Sequence, residues 1–213
     1  MSFPVDVVTL LTFIPAALAL NLTPGADMMF CLGQGMRGGW RAALAADFGI
    51  ALGGFVHVTL AGLGLGALVA GYPWLFDAIR WVGVGYLLWL AWGAFVSAVY
   101  GPGLAATGSV IKPGRAFQQG LLVNLTNPKV ILFVLAFVPQ FVDPSRGPVL
   151  AQFLIFGAVL CIGGLVINGL VGVCAGGLGS RMARSPRLAR GLGLASGGIF
   201  AALAVRLAVM QRG

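Results

Sequence analysis

The sequence predicts an all-α integral membrane protein with about six transmembrane helices, forming a single membrane domain over residues 1–213. Hydrophobic residues make up 59% of the chain, charged residues only 8%, and the mean hydropathy is +1.00. A soluble domain carries charge on about a quarter of its residues, so this chain has too little charge to cover a surface that faces water. Apolar runs also recur along the chain, each long enough to cross a bilayer.

Turn residues separate the apolar segments. The breaks contain glycine, proline and arginine, as in Arg37-Gly-Gly-Trp-Arg41 and Asp143-Pro-Ser-Arg-Gly-Pro148. The first basic residue is Arg37, so the first segment is interpreted as a retained helix and not as a cleavable signal peptide. The predicted spans are residues 5–33, 42–70, 74–99, 116–142, 149–178 and 190–210.

Basic residues concentrate in alternate loops. The first, third and fifth loops hold Arg37, Arg41, Lys112, Arg115, Arg181, Arg184, Arg187 and Arg190. Because basic loops stay cytoplasmic, this pattern predicts that both termini lie outside and that residues 100–115 form a cytoplasmic linker. The net charge of +8 is therefore assigned to topology and to anionic lipid at the basic loops, and not to nucleic acid. Arg206 and Arg212 near the C-terminus oppose this orientation.

The linker divides the chain into two halves of three helices, residues 1–99 and 116–213. The first half starts outside and the second starts inside, which is the inverted topology common in transporters. A short internal repeat supports this division, because Asn21-Leu-Thr-Pro24 resembles Asn124-Leu-Thr-Asn-Pro128. Each proline interrupts the first span of its half, so helices 1 and 4 are predicted to be broken.

The two breaks indicate a binding site inside the membrane. Thr23 and Asn127 are good N-cap residues, and Pro24 and Pro128 suit the first position of a helix. Each proline lies 13 residues from a basic residue at the cytoplasmic surface, which places it ~20 Å into the bilayer. Two restarted helix N-termini that face one cavity would bind a carboxylate. The alternative is a pair of proline kinks that serve packing only.

Charged residues follow both breaks. Asp27 and Lys129 lie within one turn of them, and a charge inside a span costs at least ~2.5–3.5 kcal/mol on insertion scales, which makes each a candidate functional residue. Lys129 would hold a carboxylate and Asp27 an ammonium group, or the two would pair with each other. The predicted substrate-binding residues are Thr23, Pro24, Gly25, Asp27, Asn127, Pro128 and Lys129.

Two further residues are candidates for coupling transport to an ion gradient. His57 is the only histidine, and an imidazole titrates near neutral pH; the alternative is a single interhelical hydrogen bond. Asp47 lies six residues beyond Arg41, so its alternative is a position at the cytoplasmic interface. Asn21 and Asn168 are candidates to line a cavity, with interhelical hydrogen bonding as their alternative.

The motifs favour neither an enzyme nor a metal protein. No HExxH, paired-acid or Gly-x-Ser-x-Gly signature occurs. Three cysteines without CxxC spacing and one histidine predict neither a metal site nor a cofactor. An intramembrane enzyme or a membrane scaffold without transport activity is kept as the alternative function. The oligomeric state, including a homo-oligomer, is left open.

Several motifs together resemble the LysE/RhtB amino-acid exporters. Asn21-Leu-Thr-Pro-Gly-Ala-Asp27 resembles their N-terminal proline–glycine motif, and Gly49-Ile-Ala-Leu-Gly53 with His57 is similar to their second span. The most specific match is Phe117-Gln-Gln-Gly-Leu-Leu-Val-Asn-Leu-Thr-Asn-Pro-Lys129. The resemblance covers residues 5 to 210.

The resemblance implies a secondary transporter of the bacterial inner membrane that exports amino acids or close derivatives, including homoserine, threonine, leucine and lysine types. Its energy would come from the proton gradient or the membrane potential, and its mechanism would be alternating access. Two positions depart from the family pattern: Ala26 stands where a second proline is frequent, and Asp47 where an apolar residue is expected. Both departures bear on substrate preference, so the resemblance does not identify the amino acid.

Overall fold

The structure is a computed structural model that describes residues 4–71, 73–100, 112–176 and 185–209. Every regular element within these ranges is helical, which confirms the all-α class. Residues 101–111 of the predicted linker, together with Arg181, Arg184 and Arg212, lie outside the described residues.

The helices follow the apolar segments of the sequence. They are α1 (Val7–Leu22), α2 (Ala26–Gly71), α3 (Pro73–Tyr100), α4 (Pro113–Leu125), α5 (Pro128–Leu132), α6 (Val149–Val173) and α7 (Pro186–Val209). Tighter or wider turns follow α5 and α6: a π-helical turn over Phe133–Phe137 and 3₁₀ turns over Val138–Phe141, Pro144–Arg146 and Cys174–Gly176.

α2 consists of two helices joined at Gly39. This glycine has φ 74° and ψ −178°, a backbone conformation that glycine adopts readily and that other residues avoid. The predicted end of the first span at residue 33 and the predicted start of the second at residue 42 bracket this break. The chain therefore interrupts its helix where the sequence changes from apolar to Arg37-Gly-Gly-Trp-Arg41.

Length and hydropathy identify three helices that are able to cross a membrane among the described residues: Ala26–Gly64, Trp81–Tyr100 and Val149–Val173. A fourth crossing results if Pro113–Leu125 and Pro128–Phe141, bent by 50°, form one broken span. Two further apolar helices are shorter, namely Val7–Leu22 and Arg190–Val205. The break in helix 4 is thus confirmed, whereas the six-helix inverted arrangement stays a prediction.

Glycines allow α2 and α4 to touch along their backbones. A Cβ atom added at Gly49 would overlap the carbonyl oxygen of Phe117, and one added at Gly120 would overlap the carbonyl oxygen of Ala46. Helices inside a bilayer gain no hydrophobic driving force when they associate, so the van der Waals contacts made at this close approach stabilise the pair instead. The second part of α2 also packs against α6, and α3 packs against α7. The contact between α2 and α4 brings the two predicted halves together.

An aromatic cluster lies between α1, α6 and the turns that follow α5. Phe13 of α1 is fully buried, and its ring centroid lies 4.8 Å from that of Phe156 and 5.2 Å from that of Phe141. Phe133 and Phe137 complete the cluster at 6.3 Å from Phe13. Aromatic burial of this kind fixes α1 against α6 and the turns after α5.

A small ionic cluster joins the start of α1 to the loop before α6. Arg146 lies 3.7 Å from Asp6 and 3.5 Å from Asp143, and all three side chains are substantially exposed. Hydrogen bonds from the Ser145 hydroxyl and main-chain N–H hold the pKa of Asp143 below its usual range. The structure therefore places Asp6 and Asp143 together around Arg146.

Candidate substrate-binding site

The break before α5 has the geometry that the sequence predicts. The Asn127 side-chain oxygen accepts a hydrogen bond from the main-chain N–H of Lys129 at 3.0 Å, and Pro128 occupies the first helical position. Asn127 also accepts at its main-chain oxygen from Val130 and Ile131. The first N–H groups of α5 are therefore already bonded to Asn127, so this helix N-terminus offers fewer free donors to a ligand than predicted.

The break before α2 differs from the prediction. Thr23 does not cap a restarted helix; it ends α1, and its hydroxyl donates to the Ala19 carbonyl at 2.6 Å. Threonine hydroxyls commonly bond to the carbonyl four residues earlier, and this competes with capping the helix that follows. Pro24 and Gly25 form the gap, and α2 begins at Ala26. The predicted N-cap role of Thr23 is wrong, although the break itself is confirmed.

The Lys129 ammonium group donates hydrogen bonds to main-chain carbonyls at the break between α1 and α2. In a continuous helix the Leu20 carbonyl would accept from residue 24, but Pro24 has no N–H. The Lys129 Nζ atom instead donates to the Leu20 oxygen at 2.5 Å and to the Thr23 oxygen at 2.7 Å. The ammonium group thus lies at the negative end of the α1 dipole, where a cation is stabilised.

The second break repeats this arrangement with a different side chain. The Asn124 carbonyl loses its helical donor because Pro128 lies four residues later. It accepts from the Asn127 N–H at 3.0 Å and lies 3.2 Å from His57 Nε2. At each break, therefore, a carbonyl freed by proline is reached by a titratable side chain from the other half of the sequence.

Asp27 lies in the first turn of α2, close to the positive end of that helix. Its Oδ2 atom accepts from Asn124 Nδ2 at 2.9 Å, whereas its Oδ1 atom is buried and forms no hydrogen bond within 3.5 Å among the described residues, although the Asn127 side chain lies close to the carboxylate. Asp27 and Lys129 form no ion pair within 4 Å in the described part of the chain. The two charges are nevertheless close enough to interact electrostatically, and whether Lys129 and Asp27 pair with each other or with a substrate stays a prediction.

The two breaks line one divided cavity. The first lobe, about 30 Å³, is lined by Thr23, Gly25, Asp27, Asn127 and Lys129, among others. The second lobe, about 40 Å³, shares Asp27 with the first and extends to Asp47. Five of the seven predicted site residues therefore line the first lobe, while Pro24 and Pro128 form the breaks without lining it. Each lobe has room for only a few water molecules.

The two coupling candidates lie in different surroundings. The depth of Asp47 in the membrane, including its alternative position at the cytoplasmic interface, stays a prediction, but its side chain is buried, with 1% of its surface exposed. The reason is that the second part of α2 packs between α4 and α6, which covers Asp47. His57 does not line the divided cavity; it borders a separate apolar pocket of about 300 Å³ with Leu60 and Ile131.

Sequence reasoning missed some contributors. Asn124 is buried, with 3% of its surface exposed, and its side-chain amide donates to Asp27. The Tyr86 hydroxyl donates to the Lys129 carbonyl at 2.6 Å. Asn124 could have been found from its position four residues before Pro128, in the repeat that also contains Asn21. Asn21 and Asn168 line both lobes, and Asn21 also donates to the Leu160 carbonyl at 3.0 Å, so both of its predicted roles hold.

Comparison with known proteins identifies the family. The model of the LysE type translocator matches residues 18–211. This chain belongs to the LysE type translocator family. It is therefore a multi-pass membrane protein, in agreement with its apolar helices.

The chain is similar to several named proteins along most of its length. It is 34% identical over 195 residues to a homoserine/homoserine lactone efflux protein of Salmonella typhimurium, covering 89% of this chain and 90% of the relative. It is 33% identical over 153 residues to a leucine efflux protein of Salmonella choleraesuis, covering 70% of each chain. A third relative, from Vibrio cholerae, is named an uncharacterized membrane protein and is 33% identical over 208 residues, 97% of this chain and 99% of its own. No solved structure matches.

Proposed function

We propose that this protein is a secondary transporter that exports amino acids or close derivatives, of the homoserine, threonine or neutral amino-acid type, across the bacterial inner membrane. One observation supports this most strongly. A polar cavity lies at the meeting point of two helix breaks and contains an acid, Asp27, and a base, Lys129, that are not paired with each other. An amino acid carries the two complementary charges.

The contacts of these residues indicate how a zwitterion is held. Lys129 uses two of its three ammonium protons on carbonyls, and the third is available for a carboxylate. Gly25 lies beside that group, and a Cβ atom there would be 3.5 Å from Lys129 Nζ. The free Oδ1 atom of Asp27 would accept from the α-ammonium group of the substrate. The carboxylate and ammonium groups therefore have separate partners within one lobe.

The size of the cavity supports alternating access. Lobes of about 30 and 40 Å³ do not admit an amino acid, so this conformation is closed and the lobes must widen for a substrate to enter. The two breaks are suitable hinges, because the backbone there is already free of continuous helical hydrogen bonds. We propose that the halves 1–99 and 116–213 rock against each other about these breaks, with both termini outside and anionic lipid at the basic loops.

The energy source is proposed to be the proton gradient or the membrane potential. His57 and Asp47 are the coupling candidates, because both side chains are titratable and both are connected to Asp27. Asp47 lines the same lobe as Asp27. His57 reaches Asp27 through Asn124, whose carbonyl faces the histidine and whose amide bonds the carboxylate. Protonation of either group would change the charge beside the substrate.

Efflux from preloaded proteoliposomes tests the proposal. Purified protein is reconstituted, loaded separately with radiolabelled homoserine, threonine and leucine, and diluted into buffer with and without a pH gradient. We expect protein-dependent efflux of at least one substrate, accelerated when the external medium is the more acidic. An absence of efflux for the whole panel, with the protein correctly inserted, would favour the alternative of an intramembrane enzyme or a scaffold.

A further inference from the structure

A tyrosine outside the divided cavity bonds the main chain of the residue that carries the proposed substrate cation. Tyr86 of α3 is 6% exposed, and its hydroxyl donates to the Lys129 carbonyl at 2.6 Å. Tyr86 is not among the described residues that line either lobe, whereas Lys129 lines the first lobe. An effect of this hydroxyl on a substrate would therefore pass through Lys129.

The short helix α5 holds the main chain of Lys129 only weakly. It has five residues, it begins at a proline after a break, and a π-helical turn follows it. The Phe133 N–H would donate to the Lys129 carbonyl alone in a regular α-helix, but here it is shared between the carbonyls of Lys129 and Val130. The Tyr86 hydroxyl supplies the Lys129 carbonyl with a second donor.

A different side chain bonds the other main-chain group of Lys129. Asn127 Oδ1 accepts from the Lys129 N–H at 3.0 Å, so both the N–H and the carbonyl of this residue have side-chain partners. Asn127 belongs to the break itself, whereas Tyr86 lies 43 residues earlier in the sequence, on another helix. The hydroxyl therefore fixes α5 relative to α3, which the local cap does not do.

Packing around α3 keeps this hydroxyl in place. The Tyr86 ring stacks on Trp89, with centroids 5.6 Å apart and an interplanar angle of 29°, and it belongs to the same buried core as Phe133. α3 also lies close against α7, because a Cβ atom added at Gly193 would come within 2.7 Å of the Ala94 carbonyl oxygen. Close packing restricts the rotamer of the ring, so the hydroxyl has a defined position.

The position of this main chain matters because the Lys129 ammonium group already has two partners. Its Nζ atom donates to the Leu20 and Thr23 carbonyls, and these two bonds set the direction of the third proton, which is available for a carboxylate. A shift of α5 would move the stem of the side chain and disturb this geometry. Affinity of this kind depends on supporting groups that orient the ones in contact with the ligand.

We infer that Tyr86 is a positioning residue for the substrate carboxylate, acting through the main chain of Lys129. The inference rests on the proposed amino-acid export and adds α3 to the elements that shape the binding site. Every amino acid carries the carboxylate, whatever its side chain. The contribution of the Tyr86 hydroxyl should therefore be the same for each exported substrate.

Tyr86→Phe removes the hydroxyl and keeps the ring. KM and kcat for efflux are measured in proteoliposomes loaded separately with radiolabelled homoserine, threonine and leucine. We expect KM to rise by about threefold to tenfold, which is the contribution of one neutral hydrogen bond, and by the same factor for every exported substrate. The value of kcat should stay nearly unchanged, because phenylalanine retains the packing of α3.

Tyr100→Phe is the matched control. It removes a hydroxyl from the same helix at a residue that is 84% exposed, so its KM should equal that of wild type. Thermal unfolding in detergent reports whether each variant is folded. The loss of one hydrogen bond should leave the Tm of Tyr86→Phe within about 6 °C of wild type.

The outcomes separate this inference from the proposed function. Efflux of none of the three substrates by inserted wild-type protein would overturn the proposed function, and the role of Tyr86 with it. If wild-type protein exports a substrate, an unchanged KM in Tyr86→Phe would overturn the positioning role alone. A loss of kcat at constant KM, a rise in KM that differs between substrates, or a variant that does not fold would also overturn it, because the hydroxyl would then serve helix packing, side-chain selection or the fold.

Discussion

Replacement of Lys129 by methionine separates its structural role from its role in transport. In the structure the ammonium group bonds the Leu20 and Thr23 carbonyls. Two hydrogen bonds to a charged group contribute about 1.5–3 kcal/mol each, whereas removing a charge from the membrane interior recovers about 2.5–3.5 kcal/mol on insertion scales. The midpoints of these ranges give about 4.5 kcal/mol lost and about 3 kcal/mol recovered, so Lys129→Met should destabilise the folded protein by a net ~1.5 kcal/mol, with a Tm lower by about 2–4 °C per kcal/mol.

A second substitution tests the physical reason. Pro24→Ala supplies an N–H four residues after Leu20, so the double variant Pro24→Ala/Lys129→Met should regain about half of the lost stability. Its efflux should remain abolished, because the substrate carboxylate still lacks its cation. Stability is measured by thermal unfolding in detergent, and transport by efflux from proteoliposomes.

Two control variants test whether these effects come from the Lys129 contacts. Lys112→Met removes an exposed lysine whose side chain makes no capping hydrogen bond, and it should leave both readouts unchanged. Asp27→Asn combined with Lys129→Met should be no better than the single variants, because the two residues are not directly paired. A Lys129→Met protein as stable as wild type, or full recovery in the Asp27→Asn double variant, would refute the contacts described here.

Three other predictions concern packing, coupling and topology. Gly120→Val should abolish folded protein in a detergent size-exclusion assay, because the added atoms meet the backbone of α2, whereas Gly114→Val, which faces open space, should fold normally. His57→Gln should flatten the pH dependence of efflux at normal expression; an unchanged pH profile would leave His57 as a hydrogen-bonding residue only. A cysteine introduced at Lys112 should resist an impermeant external thiol reagent in intact cells and one at Ser145 should react, and the reverse labelling would invert the topology.

Local sequence rules predicted the helices and their interruptions. Proline and glycine act through their own backbones, so Gly39, Pro24 and Pro128 could be read as breaks without knowledge of any other part of the chain. The Asn127 cap is likewise local. Thr23 shows the limit of this reasoning, because the same hydroxyl can cap the next helix or bond back to the previous one, and the sequence does not separate these alternatives.

The turns after α5 were not predicted either. The apolar run over 128–142 reads as a continuous helix, yet the chain forms a π-helical turn at Phe133–Phe137 and a 3₁₀ turn at Val138–Phe141. Pro139 removes the donor for the carbonyl four residues earlier, and the helix adjusts around it. Hydropathy carries no information on this adjustment, because every residue involved is compatible with a membrane.

Long-range contacts set the rest of the site. That Lys129 would reach the Leu20 carbonyl, and that Asp47 would be covered by α4 and α6, depends on which helices touch. The charge pattern around Asp47 favoured an interface as readily as a cavity. That its side chain is buried could be known only from the packing of the helices, such as the close approach of α2 and α4 at Gly49 and Gly120.

Protection of one introduced cysteine by substrate tests the central claim, that the lobe between the two breaks binds the exported amino acid. Gly25→Cys is made in a Cys174→Ala background, since Cys31 and Cys161 are buried. Thr126→Cys, exposed and outside the lobe, is the control. We expect a transported amino acid to slow thiol labelling at Gly25→Cys and to leave labelling at Thr126→Cys unchanged. Equal labelling with and without substrate, in protein that still exports it, would contradict the account.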